Sequence, residues 1–554
     1  QVQQYSIENT STMISKFLNN QSKTITGAAI ILGAASLASR LLGLIRDRVL
    51  AHYFGAGPIM DSYYAAFKIP DMLYTLSIIG ALSAGLIPIF TKIYLKSGDD
   101  KKEAWKLISN TINILAVALA AVSFVLILIA PWIVPLIAPG FDGEKKEMTI
   151  IFTRIMLLSP ILLGLSAVVG GVLQSLKNFF IYSLSPIFYN VGIIIGAVAL
   201  VPMFGYKGLA MGVILGAFLH LLIQLPSLWR AGFRYSPIFN WRDQNFLMII
   251  RLMIPRTLGL AALQLNMVFI TAVASTLSVG AVTVFNYAYN LQSFSLGIIG
   301  VSFAVAALPT LSALAAEKNW QEMIKDISSV ARQMLFFIIP LSVIFLMLRA
   351  QIVRVALGSG AFGWDATIRT ADTLAFFSLS LFAQCLSMLL ARAFYAMENT
   401  KTPLKIGVVT VIVNIVLGLY FTRSLGFGVE GLALAFTLAW ILNTALFWIF
   451  LRLRLGSLDE ENVLGAVYKM SIAALLMGLA IQGLKYVIAP MVNMETFLGI
   501  FTQGAVAGLG GLAVYALAGL ALRSHEMQVF IETIKKRLVR RANLPRDVSG
   551  IGEV

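Results

Sequence analysis

Long apolar runs separated by short polar or charged segments fill the chain from about residue 25 onward. A helix of about 20 apolar residues is long enough to cross the roughly 30 Å hydrocarbon core of a bilayer. The runs therefore predict an all-α polytopic membrane protein with about fourteen transmembrane helices. The predicted spans are 25–50, 66–94, 108–136, 149–174, 182–203, 208–229, 246–276, 281–313, 330–356, 371–396, 403–423, 429–451, 464–488 and 497–522. Polar residues interrupt the first, second and eighth spans most often.

Two sequence patterns recur at a spacing of roughly 220 residues, which indicates an internal duplication. The segment Ala84-Gly85-Leu86-Ile87-Pro88 is matched by Val305-Ala306-Ala307-Leu308-Pro309, and the segment 205–210 by 426–433 with a two-residue insertion. Each copy contains six spans, an even number, so the two copies share one orientation. Parallel repeats of this kind are typical of transporters that bind substrate between their halves.

The duplication predicts a definite domain organisation. The predicted parts are a polar tail at 1–24, an N-lobe of helices 1–6 at 25–229, a linker at 230–245, a C-lobe of helices 7–12 at 246–453, two extra helices (13 and 14) at 464–522 and a basic tail at 523–554. The first tail lacks the basic, apolar and small-residue regions of a signal peptide, so we expect it to be a soluble extension.

The distribution of lysine and arginine predicts the orientation. The even-numbered spans are followed by basic segments, such as 92–106, 230–242 and 535–541, whereas the opposite loops are shorter and poorer in these residues. Basic loops stay on the cytoplasmic side of a membrane. Both termini are therefore predicted to be cytoplasmic, and the basic C-terminal tail suits anionic lipid of the inner leaflet.

Composition excludes several classes of protein. Charged residues make up 12% and hydrophobic residues 58% of the chain, which is far from a soluble domain. The net charge of +16 comes from cations at the ends of apolar runs and predicts no nucleic-acid partner. The single cysteine, Cys385, and three scattered histidines offer no disulfide and no metal site. We find no nucleophile–base pair and no Walker loop, and we expect neither enzymatic activity nor a cofactor.

Ionisable residues inside a span cost about 2.5–3.5 kcal/mol on insertion scales, so each one requires a reason. In the first span Arg40 and Asp47 share a helical face, and Arg46 points about 120° away. Gly43 would allow a bend that brings the two guanidinium groups together. Arg48 fits an arginine that reaches the outer headgroups, whereas Arg40, with apolar neighbours, suggests a polar cavity.

The second span carries a single polar stripe on one helical face. Its members are Asp61, Tyr64, Lys68, Asp71 and Thr75. Pro70 predicts a bend beside the charges. Two interpretations stand side by side: an internal ion network, in which Asp61 and Lys68 pair with each other or with arginines of the first span, and direct contact with a substrate.

The second repeat is less charged in the matching region. Arg256 lies near the start of the seventh span, and Asn286, Asn290 and Ser293 form a stripe in the eighth. Hydrogen bonding between helices explains Asn286 and Ser293 well. Asn290 lies at mid-span and is a candidate substrate residue.

A membrane interior with several cations and few acids favours an anionic substrate. Guanidinium binds phosphate through two charge-assisted hydrogen bonds, in a geometry that lysine cannot reproduce. The candidate binding residues are Arg40, Arg46, Asp61, Lys68, Arg256 and Asn290. Together they point to a phosphorylated substrate in a cationic cavity between two lobes.

Several of these segments resemble the MurJ (MviN) family of lipid II flippases. They are 38–47, 54–57, 61–70, 80–84, 255–259, 308–312 and 401–403, and the likeness runs through nearly the whole chain from about residue 25. The resemblance implies the fold of the multidrug/oligosaccharidyl-lipid/polysaccharide exporter superfamily, with two six-helix lobes and two additional helices. It implies alternating-access transport of undecaprenyl-diphosphate-linked peptidoglycan precursor across the bacterial inner membrane.

The resemblance also implies roles for individual residues. The family's two first-helix arginines and second-helix aspartate match Arg40, Arg46 and Asp61. Family members carry a further arginine where this chain has Tyr74 and Thr75, and another on or beside Asn290, so Arg256 and Lys68 are the available substitutes here. Helices 13 and 14 shape a groove for the prenyl tail in the family, although the sequence fits simple packing equally well.

The expected function is thus lipid II translocation for cell-wall synthesis, with lipid II and membrane lipid as ligands, cell-wall synthesis proteins as candidate partners, and a monomeric state. Three alternatives remain open. A drug/cation antiporter of the same superfamily would need an acidic cavity, a polysaccharide-unit flippase differs only in its substrate, and a membrane scaffold would have lost transport.

Overall fold

The computed structural model describes residues 25–76, 85–98 and 100–542. In these ranges the regular structure is entirely helical, and ten helices are long and apolar enough to cross a membrane. An eleventh span is formed if the bent helix pair Trp364–Ser378 and Leu381–Ala396 is counted as one. The polar tail at 1–24, the motif 80–84 and residues 543–554 lie outside the described residues.

The helices are numbered here in chain order. They are α1 (Ile25–Phe54), α2 (Pro58–Ala66), α3 (Lys68–Tyr74), α4 (Ile87–Lys96), α5 (Lys102–Ile137), α6 (Gly143–Met156), α7 (Ser159–Ser175), α8 (Phe179–Ile195), α9 (Val201–Phe204), α10 (Lys207–Leu222), α11 (Leu225–Arg230), α12 (Gln244–Ser275), α13 (Ala281–Ile298), α14 (Gly300–Ala316), α15 (Trp320–Met347), α16 (Arg349–Leu357), α17 (Trp364–Ser378), α18 (Leu381–Ala396), α19 (Lys401–Leu419), α20 (Val429–Leu455), α21 (Glu460–Ile488), α22 (Phe497–Ala521) and α23 (His525–Ala542).

Four of the predicted spans are not among the ten: the tenth span is the bent pair just described, and the other three are the first, second and seventh. The first span corresponds to α1, the second to the broken series α2–α4, and the seventh to α12. Each of these three spans contains residues or side chains outside the described part of the chain, to which the count of ten applies, and these are the helices that contain most of the candidate site residues. The eighth span, which the sequence marked as uncertain, is confirmed as part of the long apolar segment Ala281–Ala316.

The break that Pro70 predicts in the second span is present. The helix is interrupted at Phe67, between α2 and α3. A proline has no N–H to donate and its ring crowds the carbonyl four residues earlier, here that of Ala66, which explains the position of the break. By contrast, α1 continues through Gly43 as one helix.

Unusual backbone features recur in the two halves of the chain. Non-glycine residues with positive φ occur at Lys177 (61°) and Glu398 (58°), and glycines with positive φ at Gly205 (60°) and Gly426 (67°). Each of these glycines follows a π-helical turn, at Gly196–Leu200 and Tyr420–Ser424 respectively. Such turns and such φ values are rare, so their shared order at a spacing of roughly 220 residues supports the duplication inferred from sequence.

The chain divides into two compact units. Unit 1 comprises Gln1–Leu291, Ala356–Thr373 and Gly407–Ala439, and unit 2 comprises the remaining segments. Unit 1 has an apolar core around Phe90, Trp105 and Val172. Unit 2 has a larger core in which α15, α18, α21 and α22 contribute buried leucine, methionine and phenylalanine side chains.

Close contact between α8 and α10 positions the site in unit 1. A Cβ atom added to Gly192 would lie 2.2 Å from the Cα of Gly216, and one added to Gly196 would lie 2.4 Å from the Cα of Gly212. Only glycine permits backbones to approach this closely. The pair packs behind α1, and α8 carries Asn190 toward the charged residues of that helix.

Candidate functional site

Arg46 is held by two neighbours in unit 1. Its Nε and Nη2 atoms donate hydrogen bonds of 3.0 and 2.8 Å to Oδ1 of Asp47, and Nη1 donates a 3.0 Å bond to Oδ1 of Asn190 on α8. The side chain of Arg46 is 23% exposed and that of Asp47 only 4%. The guanidinium is therefore oriented by a fixed carboxylate, while part of it stays accessible.

Asp47 also connects the first helix to α13. Nδ2 of Asn290 donates a 3.0 Å hydrogen bond to Oδ2 of Asp47, so the two carboxylate oxygens are divided between Arg46 and Asn290. A buried carboxylate requires such partners because an unpaired charge is costly at low dielectric. Asn290 is thus connected to Arg46 through the carboxylate of Asp47. The sequence did not suggest this connection.

Lys68 reaches the same helix. Its Nζ donates a 3.2 Å hydrogen bond to Oδ1 of Asn286, one turn before Asn290 on α13. Asn286 in turn donates through Nδ2 to the carbonyl of Val282, which fixes the orientation of its amide. Lys68 therefore contacts α13 directly, through Asn286. Arg46 is linked to α13 indirectly, because Asp47 binds both Arg46 and Asn290.

Asp61 is enclosed by donors. Its Oδ2 accepts 2.8 Å bonds from Nζ of Lys145 and from the backbone N–H of Gly280, and its Oδ1 accepts from the backbone N–H and the hydroxyl of Thr283. The residue is 1% exposed. With four hydrogen bonds Asp61 holds the start of α13 against α2, and its partner is Lys145, which was not among the partners considered from sequence.

Four interhelical turns of unit 1 meet near Asp61. We call them the turn cluster, defined as residues 55–57, 138–142, 276–280 and 358–363. Hydrogen bonds tie the cluster to the adjoining helix ends: Ala361 N donates to His52 O (2.8 Å), Gly140 N to Ser275 Oγ (3.1 Å) and Arg369 Nη2 to Ser278 Oγ (2.7 Å). These bonds close unit 1 at the end of α1 that is distant from the N-terminus.

Two glycines make this closure possible. Gly280 has a φ of +86°, and a Cβ atom added there would lie 2.2 Å from the carbonyl oxygen of Ala56. Gly360 has a φ of +55°, and its added Cβ would lie 2.3 Å from the carbonyl oxygen of His52. Any side chain at either position would be strained and would separate the turns.

The remaining candidates are placed less closely together. Arg40 lies on α1 nearly two turns before Arg46 and is half-buried. Arg256 lies within α12, and its side chain is outside the described part of the chain.

Thr75, where the family resemblance led us to expect an arginine nearby, makes a polar contact. Thr75 Oγ1 accepts a 2.6 Å hydrogen bond from Nε2 of Gln264 on α12. Gln264 also lies 3.4 Å from the carbonyl oxygen of Asp71. The link between the second span and α12 is therefore neutral in this chain.

Sequence reasoning missed Asn190, Lys145 and Thr283 as members of these networks. Asn190 and Lys145 lie more than 80 residues from their partners, and Thr283 more than 200. One signal was available: Asn190 is a rare amide within a long apolar run. Lys145 was visible only as a basic residue on the less basic side of the predicted membrane.

Unit 2 contains an apolar cavity of about 500 Å³ between α15, α17, α18, α20 and α21. Its lining includes Leu335, Val343, Phe382, Trp448, Val467 and Ser471. Glu460, at the start of α21, also lines the cavity. No group of three or more histidine, cysteine, aspartate or glutamate side chains suited to a metal ion occurs in the described ranges.

The fold and the buried charges define a class: a multi-pass membrane transporter with paired ionic groups inside its helical bundle. The family model for "Lipid II flippase MurJ" matches residues 50–502. A probable lipid II flippase MurJ of Vibrio cholerae is 30% identical over 516 residues, which cover 91% of this chain and 98% of the relative.

Solved structures show the same fold. A lipid II flippase MurJ in an inward closed conformation matches with a TM-score of 0.73 and 24% identity, covering 89% of this chain and 99% of the other. An inward-facing multidrug resistance MATE transporter of the MOP superfamily matches with a TM-score of 0.65 and 17% identity, over 76% of this chain and 96% of the other. The chain belongs to the lipid II flippase MurJ family; it is a transporter and not an enzyme.

Proposed function

We propose that this chain moves lipid II, the undecaprenyl-diphosphate-linked precursor of peptidoglycan, from the cytoplasmic to the outer leaflet of the bacterial inner membrane. Membership of the flippase family supports this function. The structural observation that carries it is the Arg46 guanidinium, which is oriented by Asp47 and Asn190 and remains partly exposed within a membrane-spanning helix.

The diphosphate would be bound by exchange of partners at Arg46. In the observed arrangement Asp47 occupies two of the guanidinium N–H groups. A diphosphate offers oxygens of the same geometry with more charge, so it can replace Asp47 or share Arg46 with it. Arg40, Lys68 and Arg256 are proposed to add positive charge to the site. Asn290 is proposed to transmit the change at Asp47 on binding to α13.

Asp61 is proposed to act in the gate and to influence the substrate indirectly. Its four hydrogen bonds hold the turn cluster closed, so the site is inaccessible from that side. Alternating access requires that this closure be broken when the lobes rock, and a set of bonds centred on one carboxylate can be lost together. Opening the cluster would release the headgroup on the outer side.

The prenyl tail is proposed to occupy the apolar cavity of unit 2. Its volume of about 500 Å³ and its leucine, valine and aromatic lining suit part of a long hydrocarbon chain. The tail would stay in apolar surroundings while the headgroup crosses. Of the two helices of the expected groove, helix 13 (α21) lines this cavity, together with α15, α17, α18 and α20.

The topology expected from sequence is proposed for the whole chain. It comprises fourteen spans, two parallel six-helix lobes with the boundaries given above, two additional helices and cytoplasmic termini. The three spans represented by α1, α2–α4 and α12 would bring the eleven spans, with the bent pair counted as one, to fourteen. We propose that the protein acts as a monomer in the inner membrane, beside cell-wall synthesis proteins.

Rescue of a bacterium depleted of its own lipid II flippase tests the function. The intact chain should restore growth and cell shape, and membranes that contain it should expose labelled lipid II on the outer leaflet. A chain that reaches the membrane, fails to rescue and transports a capsule or O-antigen unit instead would contradict the proposal. The structural likeness to the MATE transporter concerns the fold and does not favour drug transport.

A further inference from the structure

The linker between the two sequence repeats has no helix at residues 231–243, yet its backbone there is fixed by hydrogen bonds. Three polar side chains of α5 hold it: Ser109, Asn110 and Asn113. Asn110 bonds both the N–H (2.7 Å) and the carbonyl (2.9 Å) of Asn240, in the manner of a neighbouring β-strand. Asn113 donates to the carbonyl of Ile238 (2.8 Å), and Ser109 accepts from the N–H of Ser236 (3.1 Å).

An apolar contact anchors the start of this segment. Phe233 is 9% exposed, belongs to the core of unit 1, and packs edge-on against Trp105 with ring centroids 5.8 Å apart. An irregular segment normally pays a high entropic cost for a single conformation. Here α5 supplies the partners that the backbone lacks, so the linker presents its other side chains in a fixed arrangement.

Those other side chains are large, exposed aromatic and basic groups, of which Tyr235 also donates its hydroxyl to Oδ1 of Asn113 (2.9 Å). Tyr235, Phe239 and Trp241 are 60%, 55% and 59% exposed, and Arg234 and Arg242 are exposed as well. The guanidinium of Arg242 lies over the ring of Trp241, 4.7 Å from its centroid. Aromatic rings at this density on a surface are unfavourable in water and are typical of the interface between headgroups and hydrocarbon.

The charge of this surface is one-sided. Asp243, the acidic residue of the segment, uses its carboxylate to cap α12 through the N–H of Phe246 (2.8 Å). The neighbouring cations Lys102 and Lys106 on α5 are paired with Asp100 and Glu103, at 2.7 and 3.0 Å. The arginines of the linker thus add positive charge beside an aromatic surface.

We infer that the linker is a binding site for the headgroups of anionic phospholipids, formed by Arg234, Arg242 and Trp241. The site is separate from that of the transported substrate, and with the proposed orientation it lies at the inner leaflet. A fixed basic surface next to interfacial aromatics attracts phosphate groups and fixes the depth of the helix ends in the bilayer. In a protein that changes conformation, it would hold the start of α12 at constant depth while the helices tilt.

Tryptophan fluorescence in nanodiscs tests this inference with the full chain and without lipid II. The quenching lipids are phosphatidylglycerol or phosphatidylcholine, brominated near the acyl carbonyls, and the signal of Trp241 is obtained as the difference between the wild type and Trp241→Phe. We expect Trp241 to be quenched more by the anionic lipid, with about fivefold local enrichment for each arginine that faces headgroups.

A matched pair of variants identifies the cause. Arg234→Gln/Arg242→Gln should abolish the preference for phosphatidylglycerol, whereas Lys102→Gln/Lys106→Gln, which removes the same charge from the adjacent helix, should retain it. Equal quenching of wild-type Trp241 by the two lipids would overturn the inference. Equal loss of the preference in both double variants would overturn it too, because it would assign the effect to net charge.

Discussion

Asp47 and Asn290 are joined by a 3.0 Å hydrogen bond between the first helix and α13, although 243 residues separate them in sequence. The other oxygen of Asp47 binds Arg46, so one buried carboxylate couples a guanidinium to a helix of the second repeat. A change at Arg46 is therefore felt at α13 through a single residue. In the proposed function, this contact would connect headgroup binding at Arg46 to movement of α13.

A double-mutant cycle measures that coupling. Asp47→Ala and Asn290→Ala should be non-additive by about 1.5–3 kcal/mol in the free energy of unfolding, because a hydrogen bond to a charged group is lost in each. Reversible unfolding of the purified protein in bicelles is the measurement. The control cycle pairs Asp47→Ala with Asn286→Ala, whose side chain bonds Lys68 and Val282, and it should be close to additive. Additive effects in both cycles would show that Asp47 and Asn290 are not energetically coupled.

Substitution of Asp61 should open the turn cluster. Asp61→Asn keeps the size of the side chain but loses the charge that pairs with Lys145, and an amide nitrogen cannot accept the bonds that one oxygen receives. We expect faster labelling of a cysteine placed at Ala56 by a membrane-impermeant maleimide. Lys146→Gln, a change of charge at the neighbouring residue, should leave the labelling rate unchanged. Wild-type labelling of the Asp61→Asn protein would show that the closure does not depend on this carboxylate.

The turn cluster should also depend on Gly280. Gly280→Ala would place a Cβ atom against the carbonyl of Ala56 in a strained φ region, so we expect destabilisation by more than about 2 kcal/mol and a lower thermal midpoint. Gly363→Ala is a matched control, because an added Cβ there meets no atom within 4 Å. Equal thermal midpoints for the two variants would mean that separating the turns does not destabilise the protein.

The apolar cavity of unit 2 gives a prediction about chain length. Ser471→Trp would fill part of the cavity, and we expect it to slow the transport of lipid II with its full prenyl chain more than that of an analogue with a short chain. Leu475→Trp, one turn further along α21, is the control because Leu475 is 69% exposed and does not line the cavity. Equal slowing of both substrates would place the tail elsewhere.

The sequence was sufficient for the fold class, and for some local geometry. Apolar run length predicted the long spans, and Pro70 predicted the break at Phe67, because both depend on residues close together in the chain. The recurrence of sequence near Gly205 and Gly426 likewise corresponds to a shared π-turn and positive φ. Patterns of this kind are local and can be read without a structure.

The partners of the charged residues could not be predicted in the same way. Helical geometry placed Arg46 about 120° from Arg40, off the face that Arg40 shares with Asp47, yet the long arginine side chain turns back to bind Asp47. The ion pair of Asp61 with Lys145 depends on how α2 packs against the start of α6, and sequence periodicity carries no information on that contact. The substrate roles of Arg40, Asp61, Lys68, Arg256 and Asn290 therefore stay predictions.

The most direct test of the account is transport by Arg46 variants in a bacterium depleted of its own flippase, with the amount of membrane-inserted protein measured in parallel. Arg46→Ala should abolish growth, and Arg46→Lys should restore little of it, since lysine cannot form the two-pronged contact with phosphate. Arg48→Ala, two residues along the same helix, should support growth. Full growth with Arg46→Ala at wild-type protein levels would contradict the claim that this guanidinium binds the diphosphate.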